Sequence, residues 1–130
     1  MAKLKVPVGP ADHAQGPADA PVTLVEYGDY ECPHCGHAHP IVKALQKRFG
    51  SQLRFVFRNF PLREIHPNAE AAAETAEFAA TQDKFWQMHN LIYESQQDLS
   101  DELLSDLARR LKLDARELAE RSRLANSPNA

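Results

Sequence analysis

Cys32 and Cys35 are the only two cysteines of the 130-residue chain, and they stand together as Cys32-Pro33-His34-Cys35. A pair this close closes too short a loop to constrain an unfolded chain, so it makes a poor structural staple. Its use is chemical. In disulfide exchange the thiolate is the nucleophile. From Pro33 onward, Ala38, Ile41, Val42, Leu45 and Phe49 recur at the spacing of one helix face, so the pair opens a helix. Pro33 suits the first turn, where its missing N–H costs nothing. Cys32 then lies where backbone N–H groups and the helix dipole favour negative charge, and it is the expected attacking thiolate. Cys35, one turn further in, should point inward, close the disulfide and resolve a mixed disulfide. Pro33 stiffens the turn, and a positive His34 would favour the Cys32 thiolate further.

A second candidate is Glu26, six residues before Cys32 among apolar neighbours. A carboxyl buried there has a raised pKa through desolvation. It could then take and give protons for Cys35 during exchange. The plainer reading is an exposed glutamate at a strand end.

Rival readings of the cysteines are a structural pair and a metal site. Beside His and Pro at an exposed helix start, the pair is a poor core element. Cys32, Cys35, His37 and His39 supply four candidate metal ligands within eight residues. However, Cys35 is expected to point inward, His37 falls on another side, and no second C-x-x-C completes a zinc knuckle. A metal-binding or redox-sensing module built on Cys32, Cys35 and a nearby His remains the alternative, with a non-catalytic interaction domain behind it. No cofactor is expected. Individually, His37, His39, His66 and His89 read as surface or half-buried side chains. Arg109-Arg110 and the run Glu70, Glu74 and Glu77 read as solvated faces.

The elements that must position the pair follow from pattern. Residues 1–20 are rich in Pro, Gly, Ala and Asp, show no apolar period, and predict an extended lead-in. Val22 to Tyr27 is β-branched and aromatic behind Pro21, and predicts a buried strand broken by Gly28-Asp29. The helix from Pro33 should run to Phe49 and stop at Gly50, with a kink at Pro40. Leu53 to Phe60 alternates, with Leu53, Phe55 and Phe57 on one face, and is a second strand stopped by Pro61. Strand, crossover helix and strand make a right-handed βαβ unit with parallel strands.

Beyond it the chain is helical, over 68 to about 81 and 83 to about 95. Ser100 should cap a helix with Asp101 and Glu102 in its first turn and Leu103, Leu104, Leu107 and Leu111 on one side. Asp114 should cap a last helix to about Arg121. The expected organisation is a lead-in over 1–20, the redox-bearing βαβ unit over 21–62, a helical segment over 63–125 and a tail over 126–130.

Composition sets the outer bounds. The chain is 43% hydrophobic and 25% charged, as in ordinary globular domains. A net charge of −3 gives no basic footprint for nucleic acid and little steering of charged partners. No stretch approaches the ~18 consecutive apolar residues of a membrane helix. Met1 to Lys5 carries early positive charge, but Pro7, Gly9, Pro10, Asp12 and His13 follow in place of an apolar core, so no secretory signal is read. A cytoplasmic chain is expected as written, with a mature extracytoplasmic form given a new start Met as the alternative.

The run Glu26-Tyr27-Gly28-Asp29-Tyr30-Glu31-Cys32-Pro33-His34-Cys35 resembles the active-site segment of the DsbA-like branch of the thioredoxin superfamily. Pro33-His34 is similar to the central dipeptide of those oxidases, Glu26 falls where the superfamily has its buried acid, and Pro40 matches its kink proline. Arg58-Asn59-Phe60-Pro61-Leu62, His66-Pro67, the Ala-rich helix and Lys84 to His89 resemble the family's second strand and helical insertion. The resemblance runs from about residue 10 to about residue 120. It implies an α/β fold, a thioredoxin-like βαβ core followed by a DsbA-type helical insertion. It also implies an oxidant or isomerase exchanging its disulfide with thiols of protein substrates, recharged by an unknown redox partner.

The family continues past the insertion with a cis-proline loop, two more strands and a last helix. Here Pro128 is the last proline and no late strand pattern exists. The expectation is therefore an incomplete fold, or one whose open sheet edge is covered by a second copy in a homodimer.

Overall fold

The computed structural model describes residues 4–125; Met1 to Lys3 and the tail 126–130, with Pro128, lie outside the described residues. The elements are β1 (His13–Gln15), β2 (Val22–Gly28), α1 (Pro33–Phe49), a 3-10 turn (Gly50–Gln52), β3 (Leu53–Asn59), α2 (Ala69–Ala80), α3 (Phe85–Glu94), α4 (Asp101–Arg110) and α5 (Ala115–Ala125). Strands β2 and β3 run parallel, with Val22 opposite Leu53, Glu26 opposite Phe57 and Gly28 opposite Asn59. Helix α1 is the crossover between them. A side chain at Gly28 would place its Cβ 2.2 Å from the Phe57 ring, so glycine lets β3 close over the end of β2.

β1 lies inside the segment expected to be an extended lead-in. It pairs antiparallel with β3, His13 opposite Phe57, and the sheet order is β1-β3-β2. His13-Ala14-Gln15 has no β-branched residue, so tertiary contacts impose the strand. Arg58 Nε and Nη2 donate to the two Asp12 carboxylate oxygens at 2.8 and 2.9 Å. Arg58 also donates to the carbonyls of Val6 and Pro7. These bonds, with that of the Gly9 N–H, hold the Asp12 carboxyl down at about 2. The His13 ring stacks on Phe85 with centroids 3.6 Å apart. Its Nε2 lies 2.8 Å from Glu77, which also accepts from Asn59. Glu77 is therefore a cross-link, not merely part of a solvated face.

Helix α1 starts and stops as its residues dictate. Pro33 occupies the first turn, and the Gly50 N–H closes the end on the Gln46 carbonyl with φ at +50°. Pro40 removes one internal N–H, and the helix runs on through it. Ser100 Oγ accepts from the Leu103 N–H, and Asp114 Oδ1 accepts from the Arg116 and Glu117 N–H groups. Both are the expected N-caps.

The core lies between the sheet face of Phe55 and Phe57 and helices α2 to α4. Tyr30, Phe57, Phe78, Met88, Ile92 and Leu107 are among the fully buried side chains. The apolar face expected of α1 is only half used. Val42 packs against the core, but no residue of α1 is fully buried, and Ile41 stays 60% exposed.

Candidate redox site

Cys32 is the N-cap of α1, in extended backbone, and its carbonyl accepts from the Gly36 N–H at 3.0 Å. Its own N–H reaches back to the Asp29 carbonyl at 3.1 Å. Both cysteines are free thiols and half-buried, and Cys35 packs against the core cluster. Burial pushes the Cys35 thiol up to about 11, the Asp29 N–H draws it down, and charge on Cys32 and Glu26 adds to the rise. Cys35 is therefore a neutral thiol near neutrality. Pro33 and His34 are exposed.

Glu26 points from β2 into the same region. Burial raises its carboxyl, and the nearby Tyr93 hydroxyl opposes that rise. Its charge in turn bears on Cys35. The structure thus brings Glu26 and both cysteines together, with the proline and histidine between the cysteines on the outer side.

Four further side chains hold the turn that carries Cys32. Asp29 is 4% exposed and accepts from the Glu31 N–H at 2.8 Å, the Leu62 N–H at 3.0 Å and His66 Nδ1 at 2.7 Å. Glu31 accepts from the Asn68 N–H at the start of α2. The buried Tyr30 hydroxyl shares a hydrogen bond with His89 Nδ1 at 2.8 Å. Gln96, beyond α3, donates to the carbonyls of Tyr30 at 2.9 Å and Cys32 at 2.7 Å. A Cβ at Gly36 would stand 2.0 Å from Gln96 Oε1, so that glycine makes room for the contact.

Sequence reasoning missed this frame. Asp29 reads as a strand breaker, Gln96 belongs to no motif, and His66 and His89 read as bland. The one trace in the sequence is Gly36 inside a helix, a residue type that marks close approach. The rival ligand set does not come together in this fold. Among the described residues no three His, Cys, Asp or Glu side chains come together as a metal-holding group. His37 is exposed, and His39 turns away to stack on Tyr93 with centroids 4.9 Å apart.

The family model described as thioredoxin matches residues 9–127. Over 112 residues the chain is 50% identical to the Na(+)/H(+) antiporter NhaA 1 of Salinispora arenicola, an alignment covering 85% of this chain and 17% of that protein. Over 98 residues it is 47% identical to the NhaA 1 of Mycolicibacterium vanbaalenii, covering 75% of the chain and 16% of that protein. The chain thus spans about a sixth of these relatives' length. Among solved structures, a thioredoxin-like oxidoreductase from Silicibacter pomeroyi superposes with a TM-score of 0.76 at 27% identity, over 86% of this chain and 63% of that one. Oxidised BdbD from Bacillus subtilis superposes with a TM-score of 0.72 at 33% identity, over 82% and 63%. With Cys32-Pro33-His34-Cys35 opening α1 beside Glu26, and a helical segment following the βαβ unit, the chain belongs to the thioredoxin family as a DsbA-like member.

Proposed function

We propose that the chain exchanges a Cys32–Cys35 disulfide with thiols of protein substrates. The observation that carries this reading is the asymmetry of the pair. Cys32 caps the N-terminus of α1, while Cys35 is a half-buried thiol whose pKa burial raises, beside the Glu26 carboxyl. Cys32 is the attacking and attacked sulfur, Cys35 resolves the mixed disulfide, and Glu26 moves the proton of Cys35. Pro33 and His34 tune the pair from the outside.

Equilibration with glutathione buffers, followed by thiol trapping, tests this directly. A potential between about −120 and −200 mV places the pair with oxidases and isomerases, and one near about −270 mV makes it a reductant. Failure to form an intramolecular disulfide at any poise removes the reading. Cys32→Ser should abolish exchange, and Cys35→Ser should trap mixed disulfides visible by mass spectrometry. Trapping by the Cys32 variant instead would reverse the two roles. His34→Ala should make the pair more reducing, and an unchanged potential removes His34 from the mechanism.

The antiporter relatives favour a second reading for the whole protein, in which this unit works as one module of a longer polypeptide. Immunoblotting of the endogenous product distinguishes the two. A species several times larger than 14.6 kDa supports the module, and one of that mass removes it.

A further inference from the structure

Glu26 borders a second space besides the cysteines. A cavity of about 10 Å³ lies beside it, lined by Glu26, His39, Lys43, Gln46 and Asn90 among others. That volume is about one water-sized sphere, and the lining offers a water more than the two to four polar partners it needs. Two polar atoms in this neighbourhood, His39 Nε2 and Tyr93 Oη, are buried without a hydrogen-bond partner among the described residues. Tyr93 Oη is near enough to Glu26 to pull its carboxyl down, yet the pair falls short of a well-formed hydrogen bond. Buried polar atoms left this way ask for a partner.

His39 is placed to use that space. It shares α1 with Cys35 and Lys43, faces Glu26 of β2 across the cavity, and meets His89 and Tyr93 of α3 ring to ring. Burial and the Lys43 charge hold its pKa below the ordinary histidine value, and Glu94 opposes them. Near neutrality the ring is a neutral imidazole, with one N–H to give and one lone pair to receive.

We propose that this cavity holds a water through which Glu26 exchanges its proton with solvent, and that His39 orients the water and relays the proton. The inference rests on the exchange activity proposed above. In disulfide donation a substrate thiolate attacks Cys32 Sγ. A substrate–Cys32 bond forms, the Cys32–Cys35 bond breaks, and its electron pair leaves on Cys35. The Cys35 thiolate takes the Glu26 proton. The cavity water reprotonates Glu26 and is itself restored by the His39 ring, which takes a proton from solvent at its other nitrogen. The protein disulfide is the oxidant, so no other co-reactant is consumed. His39 is a positioning residue, because it reaches the sulfurs only through Glu26.

The test is stopped-flow oxidation of a reduced dithiol peptide by the disulfide form of the full chain, in H2O and D2O. His39→Phe keeps a ring on Tyr93 but can neither hold the water nor relay. It should slow exchange about tenfold, less than the roughly hundredfold minimum typical of a direct general acid because water alone still reaches Glu26. The solvent isotope effect should rise and the equilibrium potential should stay where it was, while His39→Ala, which vacates the ring's place, should regain rate with added imidazole. His39→Gln, which holds the water without relaying, should also slow exchange with a raised isotope effect and an unmoved potential. An unchanged rate and isotope effect overturn the relay. So does a slowed His39→Ala variant that imidazole does not rescue and whose potential has moved, since that is structural damage. If the unaltered chain exchanges nothing, the oxidoreductase reading falls and takes the relay with it.

Discussion

Gln96 touches neither sulfur, yet it grips the chain on both sides of Glu31, at the carbonyls of Tyr30 and Cys32. Those bonds fix the turn from which Cys32 is presented, and they come from the helical segment rather than the βαβ unit. Gln96→Ala removes both donors and leaves two half-buried carbonyls to find water. The expected loss is about 1–3 kcal/mol at about 1 kcal/mol per bond, read from urea unfolding. Exchange should slow in parallel. Gly36→Ala should reproduce the effect by another route, since its Cβ occupies the position of Gln96 Oε1. A Gly36 variant as stable and active as the parent, beside an impaired Gln96 variant, would show that the amide can hold the turn from a shifted position.

Helix α3 fastens the helical segment to the sheet through an aromatic cluster centred on His89. The ring is 3% exposed and packs within 5.4 Å of the rings of Phe57, Trp86, Tyr93 and Tyr30. Burial pushes its pKa down to about 3 from the ordinary 6.5, with the charges of His39 and Lys43 adding to the fall. The unfolded chain therefore binds this proton first as pH drops. The stability tied to neutral His89 is complete above pH 6.5 and is lost between pH 6.5 and about 3. The slope is about 1.4 kcal/mol per pH unit for one proton. Glu26, held above its ordinary value, acts in the opposite sense above pH 4.5. Unfolding free energy against pH should fall steeply below 6.5 in the parent. A His89→Asn variant, less stable throughout, should have a slope shallower by up to one proton. Equal slopes would mean the cluster opens before His89 titrates. At this scale β1 was illegible, because Arg58 and Asp12 create it across 46 residues of chain rather than any local preference for a strand.

For the molecule as a whole, the sheet order leaves β2 paired on its β3 side alone among the described residues. At the start of β2 and the end of α1, Val22 is 57% and Phe49 43% exposed. An apolar groove of about 340 Å³ lies between the end of α1 and the first residues of β2 and β3, lined by Pro21, Val22, Leu24, Leu45 and Leu53. An open edge beside apolar surface invites strand pairing. A second copy over this edge is the expectation, and light scattering with concentration-dependent melting checks it. A monomer that unfolds cooperatively at all concentrations would count against it. No helix among the described residues is long and apolar enough to cross a membrane.

Local rules made part of this protein legible. Cys32-Pro33-His34-Cys35 at a helix start, Glu26 on the preceding strand, the parallel βαβ unit and the caps at Ser100 and Asp114 depend on neighbours a few residues away, and those neighbours are visible in the sequence. The tertiary structure decided what depends on distant partners. It made β1, turned His39 from a candidate ligand into a wall of the Glu26 cavity, and buried His89 against Tyr30. It also placed Gln96, 64 residues from Cys32, on the backbone of the redox turn. Side-chain type alone does not encode such contacts, because they exist only once the helical segment has packed on the sheet.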